Sequence, residues 1–243
     1  MVKFLSGNDG KLIFNYLNKD CSALLSAVTE YYPNCFLEDG VFAMQYEENT
    51  PASLICHGNS FSLVFTSDKS DFDEILFTVG SEFHSPSVLP FQMVDEYYLL
   101  KKSTVPVQKS AYENECRYDD FKAVLNINGT NETVNLQYLF KKGKIKSSVF
   151  TENGENTGGG IIINSENYAV ISHVFVKENL RGKGVGTRTV NNLLTPSKAE
   201  KVYLISEKNN LDFYGKLGFA PVLTVYKYNS ENEEVIKCRN FLK

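Results

Sequence analysis

The strongest constraint on the fold is an order of elements that occurs twice along the chain. Hydrophobic spacing in the first half predicts two helices, three strands, a helix and a strand, and the second half repeats that order with different residues. The polar segment at residues 101–115 contains Pro106 and shows no sustained period, which places a boundary near residue 110. We therefore predict two similar α/β lobes with mixed sheets, at residues 1–110 and 111–243.

The individual elements are predicted from apolar spacing and turn-forming residues. A helix is predicted near Leu12, and Asp20 is expected to cap a second helix that stops before Pro33. The other elements of the first half are strands at residues 41–46, 52–56, 61–65 and 97–100 and a helix at 71–79. Those of the second half are helices around 119–125 and 133–142, strands at 145–150, 160–163, 168–176, 202–206 and 222–228, and helices after Gly186 and Asn210.

Composition indicates an ordinary globular protein and excludes several classes of partner. Lys and Arg number 25 against 29 Asp and Glu, and the net charge of −4 gives no bulk attraction for nucleic acid or an anionic membrane. No apolar run approaches the ~20 residues of a membrane-spanning helix, and the first residues lack a signal-peptide core, so a cytoplasmic location is expected. The five cysteines and three histidines show no metal-binding spacing, and nothing in the sequence indicates the oligomeric state.

The segment that carries chemistry is a strand, a glycine-rich turn and a helix. The strand ends at Val176, and the turn Arg181-Gly-Lys-Gly-Val-Gly186 opens the next helix. Unpaired backbone N–H groups at such a helix start attract an anion, and glycines let phosphate oxygens approach them. The spacing is wrong for a P-loop, because Lys177 stands at the first glycine position. It is also wrong for the dinucleotide fingerprint, because Thr187 stands at the third.

This segment resembles the acyl-coenzyme A site of the GNAT superfamily of N-acyltransferases. The family signature, R/Q-x-x-G-x-G/A placed five residues past a strand, is matched at residues 181–186. A second family motif, F-Y-x-K-L-G-F near the end of a helix, is matched at residues 213–219. The resemblance implies a GNAT fold in the carboxyl-terminal half and an acetyl-CoA-dependent N-acetyltransferase, with no metal, that acts on a small-molecule or peptide amine.

The resemblance also implies roles for individual residues. Tyr214 would protonate the departing thiolate, and the strand backbone would pair with the pantetheine arm and direct an N–H at the thioester carbonyl. Glu207 departs from the family, which usually has a cofactor-contacting asparagine there. The residues implied to hold coenzyme A are Val174, Phe175, Val176, Arg181, Gly182, Lys183, Gly184, Val185, Gly186 and Thr187.

The general base is the main departure from the family. Val170 and Ser172 occupy the family's base positions, and neither side chain is a strong base. Strand alternation places both on one face with Val174 and Val176, so His173 is a candidate base only if a β-bulge turns it toward the substrate. Because a strong base is missing, a second hypothesis is that the protein binds or senses acyl-CoA without catalysis. A third hypothesis is a nucleotide-binding regulatory module.

The amino-terminal lobe has the order of elements without the glycine turn. Between its third predicted strand and the following helix, Asp68, Asp71 and Asp73 would repel phosphates. We expect a GNAT-like lobe without a cofactor site, and an unrelated α/β domain is an equal alternative.

Overall fold

Strands and helices alternate along both halves of the chain. The structure is a computed structural model that describes residues 1–229 except 7–8, 31, 33–41, 58–61, 80–81, 105–116, 128, 130–132, 196 and 198. The amino-terminal elements are β1 (Val2–Leu5), α1 (Gly10–Tyr16), α2 (Lys19–Thr29), β2 (Phe42–Glu47), β3 (Thr50–His57), β4 (Ser62–Thr66), α3 (Phe72–Thr78), β5 (Glu82–Ser85) and β6 (Gln92–Ser103). The carboxyl-terminal elements are α4 (Tyr118–Ile127), α5 (Val134–Lys141), β7 (Ile145–Glu152), β8 (Glu155–Asn164), β9 (Ala169–Val176), α6 (Val185–Leu194), β10 (Lys201–Glu207), α7 (Leu211–Lys216) and β11 (Ala220–Asn229).

The predicted repeat of elements is confirmed, with three corrections. The prediction missed β1 and β5, because a four-residue strand carries too little periodic signal, and it made β6 too short. Asp20 does not cap α2. The cap is Asn18, whose side chain accepts a hydrogen bond of 2.8 Å from the Cys21 N–H. The predicted boundary near residue 110 lies outside the described residues.

All the described strands join one mixed sheet, in the order β1-β2-β3-β4-β5-β11-β6-β10-β9-β8-β7. In each half three antiparallel strands are followed by one parallel pair, which is β4 with β5 and β9 with β10. The last strand of each half is exchanged. Strand β6 lies between β10 and β11, while β11 lies between β5 and β6. The two lobes are therefore joined through their strands.

Helices cover the sheet differently on its two faces. On one face, α1, α2, α4 and α5 pack on a single apolar core that runs through both halves, and we call this the shared face. On the other, which we call the split face, α3 covers a core in the amino-terminal half, and α6 and α7 cover a separate core in the carboxyl-terminal half. Burial of these apolar side chains is the main driving force for the arrangement.

Helix α2 carries the amino-terminal half onto strands of the carboxyl-terminal half. Its Ser26 hydroxyl lies 2.7 Å from the Tyr168 hydroxyl, at the start of β9. Asp20 accepts hydrogen bonds from the Tyr203 hydroxyl of β10 at 2.7 Å and from the Lys101 ammonium of β6 at 3.1 Å. These bonds fix α2 over the point at which β9 and β10 meet.

Candidate active site

The site is built around a fork between β9 and β10. These parallel strands pair only at Ala169 with Val202 and at Val170 with Tyr203. Beyond that point β9 continues to pair with β8 as far as Val176, and β10 continues to pair with β6. The facing edges of the two strands therefore separate, and their backbone N–H and C=O groups face an open cleft. An extended ligand chain can pair with such an edge as an added strand would.

The glycine-rich turn follows β9 after a short 3₁₀ helix at Glu178–Leu180. Residues 181–184 form the turn, and Gly182 and Gly184 have φ values of 77° and 78°, a left-handed conformation that favours glycine. Gly184 is the N-cap of α6, and no side chain caps the helix there. The side chains of Arg181 and Lys183 are exposed beside it. Open backbone N–H groups, the helix dipole and two cationic side chains together make an anion-binding site.

Two of the three glycines of β8, Gly158 and Gly160, allow α6 to lie close to the sheet. A Cβ atom at Gly158 would lie 2.7 Å from Val185 Cγ1, and one at Gly160 would lie 2.8 Å from Leu193 Cδ1. Any larger residue would push the helix outward. This close approach was not predicted from the sequence, although glycines inside a strand are a recognised signal of close backbone approach.

Tyr214 lies on α7, over the same split-face core as Val174. Its ring centroid is 4.9 Å from that of Phe213 and 6.0 Å from that of Phe219, both in edge-on arrangements. Its backbone carbonyl accepts hydrogen bonds from the N–H groups of Leu217 and Phe219. Burial raises the pKa of the Tyr214 phenol, so the phenol stays protonated near neutral pH.

A β-bulge in β9 overturns the predicted alternation of its side chains. Ile161 of β8 lies opposite His173, while Ile162 lies opposite Ile171, which leaves Ser172 as the extra residue. Val170 consequently faces the shared core, whereas Val174 packs on the split-face core. The prediction that Val170, Ser172 and Val174 lie on one face was wrong, because the extra residue of the bulge shifts the alternation of side chains by one position.

The bulge also joins Ser172 to His173. The Ser172 Oγ atom lies 2.8 Å from His173 Nδ1. His173 pairs with Ile161, a residue of the shared core, so its side chain is on the shared face. Burial lowers the pKa of the His173 imidazole, which keeps the ring neutral and able to accept a proton near neutral pH.

A cavity of about 480 Å³ begins at the fork and extends along the shared face. Ser172 and Ile205 line its end at the fork, and each stands two residues beyond the last paired position of its strand. Helix α2 contributes Ala27 and Val28 to the wall. The remaining lining residues come from β5, β6 and β11, and they are Glu82, His84, Tyr97, Val225 and Lys227.

Except for Ser172, the cavity residues were not found by sequence reasoning, which considered His84 only as a possible metal ligand. Only the pairing of β5, β6, β11 and β10 brings their residues together, and no local pattern indicates such long-range contacts. Among the described residues, no three His, Cys, Asp or Glu side chains are grouped so that they could hold a metal ion. No helix in this part of the chain is long and apolar enough to cross a membrane.

Comparison with known proteins identifies the family. Residues 112–230 match the model of the acetyltransferase (GNAT) domain. The carboxyl-terminal half of the chain is a GNAT acetyltransferase domain. The predicted resemblance is thereby confirmed, and the GNAT domain places the protein among the acyltransferases. No curated protein matches the sequence.

Solved structures with the same fold support the assignment of the GNAT fold. A GCN5-related N-acetyltransferase from Sphaerobacter thermophilus is 11% identical, with a TM-score of 0.55 over 94% of each chain. One from Kribbella flavida is 12% identical, with a TM-score of 0.54 over 74% of this chain and 87% of that one. A tandem GNAT protein from the clavulanic acid biosynthesis pathway is 11% identical, with a TM-score of 0.52 over 96% of this chain and 99% of that one. The last match agrees with two GNAT-like lobes in this chain.

Proposed function

We propose that the protein transfers the acetyl group of acetyl-CoA to the amine of a small molecule or peptide, by direct attack of the amine on the thioester. The observation that carries the proposal is the fork between β9 and β10. It connects the uncapped glycine turn beside α6 with the cavity on the shared face. An acyl donor held along the turn and the fork would thus present its reactive end to a molecule in the cavity.

The residues present fit the coenzyme. Gly182, Gly184 and the first turn of α6 offer backbone N–H groups to the pyrophosphate, whereas the N–H groups of Arg181 and Lys183 already donate to backbone carbonyls. No side chain caps the start of the helix. The open edge of β9, from Val174 to Val176, offers hydrogen bonds to the pantetheine arm. Acetyl-CoA supplies the acetyl group as an activated thioester. In this proposal residues 111–243 hold the coenzyme, while the lobe at 1–110 holds none.

Tyr214 is the proposed general acid. Its protonated phenol is on the split face with Val174, where the thiol end of the coenzyme would leave the β9 edge. The phenol donates its proton to the departing sulfur as the C–S bond breaks, because the sulfur then leaves as a neutral thiol and not as a thiolate anion.

Ser172 and His173 are the proposed base. The Ser172 hydroxyl, which lines the cavity, takes a proton from the amine nitrogen as the C–N bond forms, and passes its own proton to His173 Nδ1. The nitrogen becomes far more acidic once it bonds to the carbonyl carbon, so a neutral imidazole of lowered pKa suffices. His173 thus acts through Ser172 and not by direct contact with the amine.

Release of free coenzyme A in the presence of a panel of amines tests the proposal. We expect turnover with at least one amine, and a loss of about 10² in kcat for Ser172→Ala and for His173→Gln, with acetyl-CoA affinity unchanged. Tight binding of acetyl-CoA without turnover on any amine would instead indicate an acyl-CoA sensor. Equal thermal stabilisation by acetyl-CoA, ATP and NAD would indicate nonspecific anion binding and contradict the assignment of acetyl-CoA to the site. The proposed location is the cytoplasm.

A further inference from the structure

The acceptor cavity has two chemically different ends. Ser172 and Ile205 form the end at the fork, where the acetyl group would arrive. The opposite wall comes from strands β5, β6 and β11 and carries Glu82, His84 and Lys227. Two of these three residues belong to the amino-terminal half, so a half with no glycine turn builds part of the cavity.

The size and the middle of the cavity limit what can bind. A volume of about 480 Å³ is within the range of small-molecule sites and below that needed for a folded partner. Between the two ends the wall is formed by the aliphatic side chains of Ala27, Val28 and Val225, together with Tyr97, the cross-strand partner of Val225. A molecule that spans the cavity therefore needs an apolar middle section.

The charges on the far wall are already paired. The Lys227 ammonium lies 3.0 Å from the Glu82 carboxylate. A ligand carboxylate would meet the like charge of Glu82 and a ligand ammonium that of Lys227, and either one would compete with an ion pair in which the Lys227 side chain is 26% and that of Glu82 51% exposed. An uncharged polar group is repelled by neither charge and leaves the ion pair intact.

His84 is the neutral hydrogen-bonding group of that wall. Burial, followed by the positive charge of Lys227, lowers the pKa of the imidazole, while Glu82 and Asp95 oppose that shift. The ring centroids of His84 and Tyr97 lie 5.7 Å apart. A contact of the imidazole with the Ser62 backbone also opposes the lowering of its pKa. An imidazole held neutral in this way donates or accepts a hydrogen bond without bringing a charge into the cavity.

We infer that the acceptor is a small primary amine with an apolar middle section and an uncharged hydrogen-bonding group, such as a hydroxyl or an amide, at its far end, and that His84 recognises this group. The inference rests on the proposed function and adds the class of substrate. It makes His84 a specificity-determining residue supplied by the amino-terminal half, and not a catalytic one.

A panel of primary amines of equal chain length, ending in methyl, hydroxyl, ammonium or carboxylate, tests the inference. The hydroxyl-ended amine is expected to exceed the methyl-ended one in kcat/KM by about 3- to 10-fold, the effect of one neutral hydrogen bond. It should exceed both charged amines by about 10-fold or more, mainly through KM. A charged tail as the best substrate would overturn the inference.

Variants of His84 separate recognition from general damage. His84→Leu should abolish the preference in kcat/KM for hydroxyl over methyl and leave acetyl-CoA affinity unchanged, while His84→Gln should retain part of that preference. The matched control is His57→Leu, because His57 is also half-buried on the amino-terminal half but does not line the cavity. An unchanged preference in His84→Leu would contradict the assigned role.

The outcome also distinguishes this inference from the proposed function. If acetyl-CoA binds and no amine of the panel is acetylated or bound, as judged by calorimetry, the inferred acceptor class is wrong and the coenzyme site stands. If acetyl-CoA itself fails to bind, the proposed function is wrong.

Discussion

The two halves of the molecule build the same turn in opposite ways. In the carboxyl-terminal half, β9 leads to Gly184, which begins α6 without a side-chain cap. In the amino-terminal half, β4 leads to Asp71, whose carboxylate accepts hydrogen bonds from the N–H groups of Asp73 at 3.0 Å and Glu74 at 3.2 Å. A carboxylate of the protein thus occupies the position that an anion would take in the other half.

The difference shows how one topology serves two purposes. A capped helix start is satisfied internally and adds stability, whereas an uncapped start leaves donors for a ligand. The amino-terminal half also lacks a counterpart of α7, because the described residues between β5 and β6 form no helix. It therefore has no equivalent of Tyr214. The amino-terminal half instead supplies α2 and the far wall of the cavity.

The largest expected effect comes from making the two turns alike. Gly184→Asp should abolish acetyl-CoA binding, since the new side chain would block the start of α6, as a carboxylate already stands at the start of α3, and its charge would repel the pyrophosphate. Isothermal titration should give one coenzyme per wild-type chain and none for the variant.

The control for this substitution is Gly143→Asp. Gly143 also has a positive φ, of 65°, and a Cβ atom added there would have no atom within 4 Å among those it could meet. It lies outside the site, so the variant should suffer the same backbone strain and keep full binding. Two coenzymes per wild-type chain, or unchanged affinity in Gly184→Asp, would place a site in the amino-terminal half.

Removal of the proton donor should have the next largest effect. Tyr214→Phe is expected to slow turnover by roughly 10² to 10⁴ and to leave acetyl-CoA affinity unchanged, because it deletes one hydroxyl and little volume. Steady-state kinetics beside titration measures both, with Tyr138→Phe on α5 as the control. Full activity in Tyr214→Phe would reassign the residue to packing against Phe213.

A buried carboxyl between the halves should make stability depend on pH. Glu30 follows α2 and accepts a hydrogen bond of 2.9 Å from Thr133, the N-cap of α5, while burial raises its pKa to about 7. Between pH 4.5 and about 7 the folded state binds more protons than the unfolded one, so the free energy of unfolding falls as pH rises.

Glu30→Gln should remove this dependence. At pH 8 it is expected to raise the free energy of unfolding by about 1–2 kcal/mol, because the amide carries no charge to bury. At pH 4, where the wild-type carboxyl is neutral too, the two proteins should have nearly equal stability. Urea unfolding at both pH values measures the difference, and a stabilisation of equal size at both would show that ionisation is not its cause.

The smallest effect is expected at the capped turn of the amino-terminal half. Asp71→Ala should lower the free energy of unfolding by about 1 kcal/mol, the usual value of an N-cap side chain. It should not create coenzyme binding, because Asp73 and Glu74 stay in the first turn of a seven-residue helix. Asp68→Ala, at an exposed position before the cap, is the control for unfolding, and titration with acetyl-CoA checks for gained binding.

Local features of this protein could be predicted from sequence, and features that depend on distant pairing could not. The turn at residues 181–186 and the helix of Tyr214 are specified by adjacent residues, so spacing alone located them. The bulge at Ser172 depends on where β8 places Ile161 and Ile162, and one extra residue decides which face each side chain occupies. The cavity depends on five strands, β5, β6, β9, β10 and β11, drawn from both halves of the sequence.

The exchange of β6 and β11 also affects the order in which the two lobes can fold during synthesis. During synthesis, β5 emerges long before β11, the strand that pairs with it, so its edge stays open until almost all of the described chain has left the ribosome. The amino-terminal lobe, which is synthesised first, therefore cannot complete its part of the sheet first. Cleavage of the chain between the halves would not release two separate domains, because each fragment would retain a strand that belongs in the middle of the common sheet.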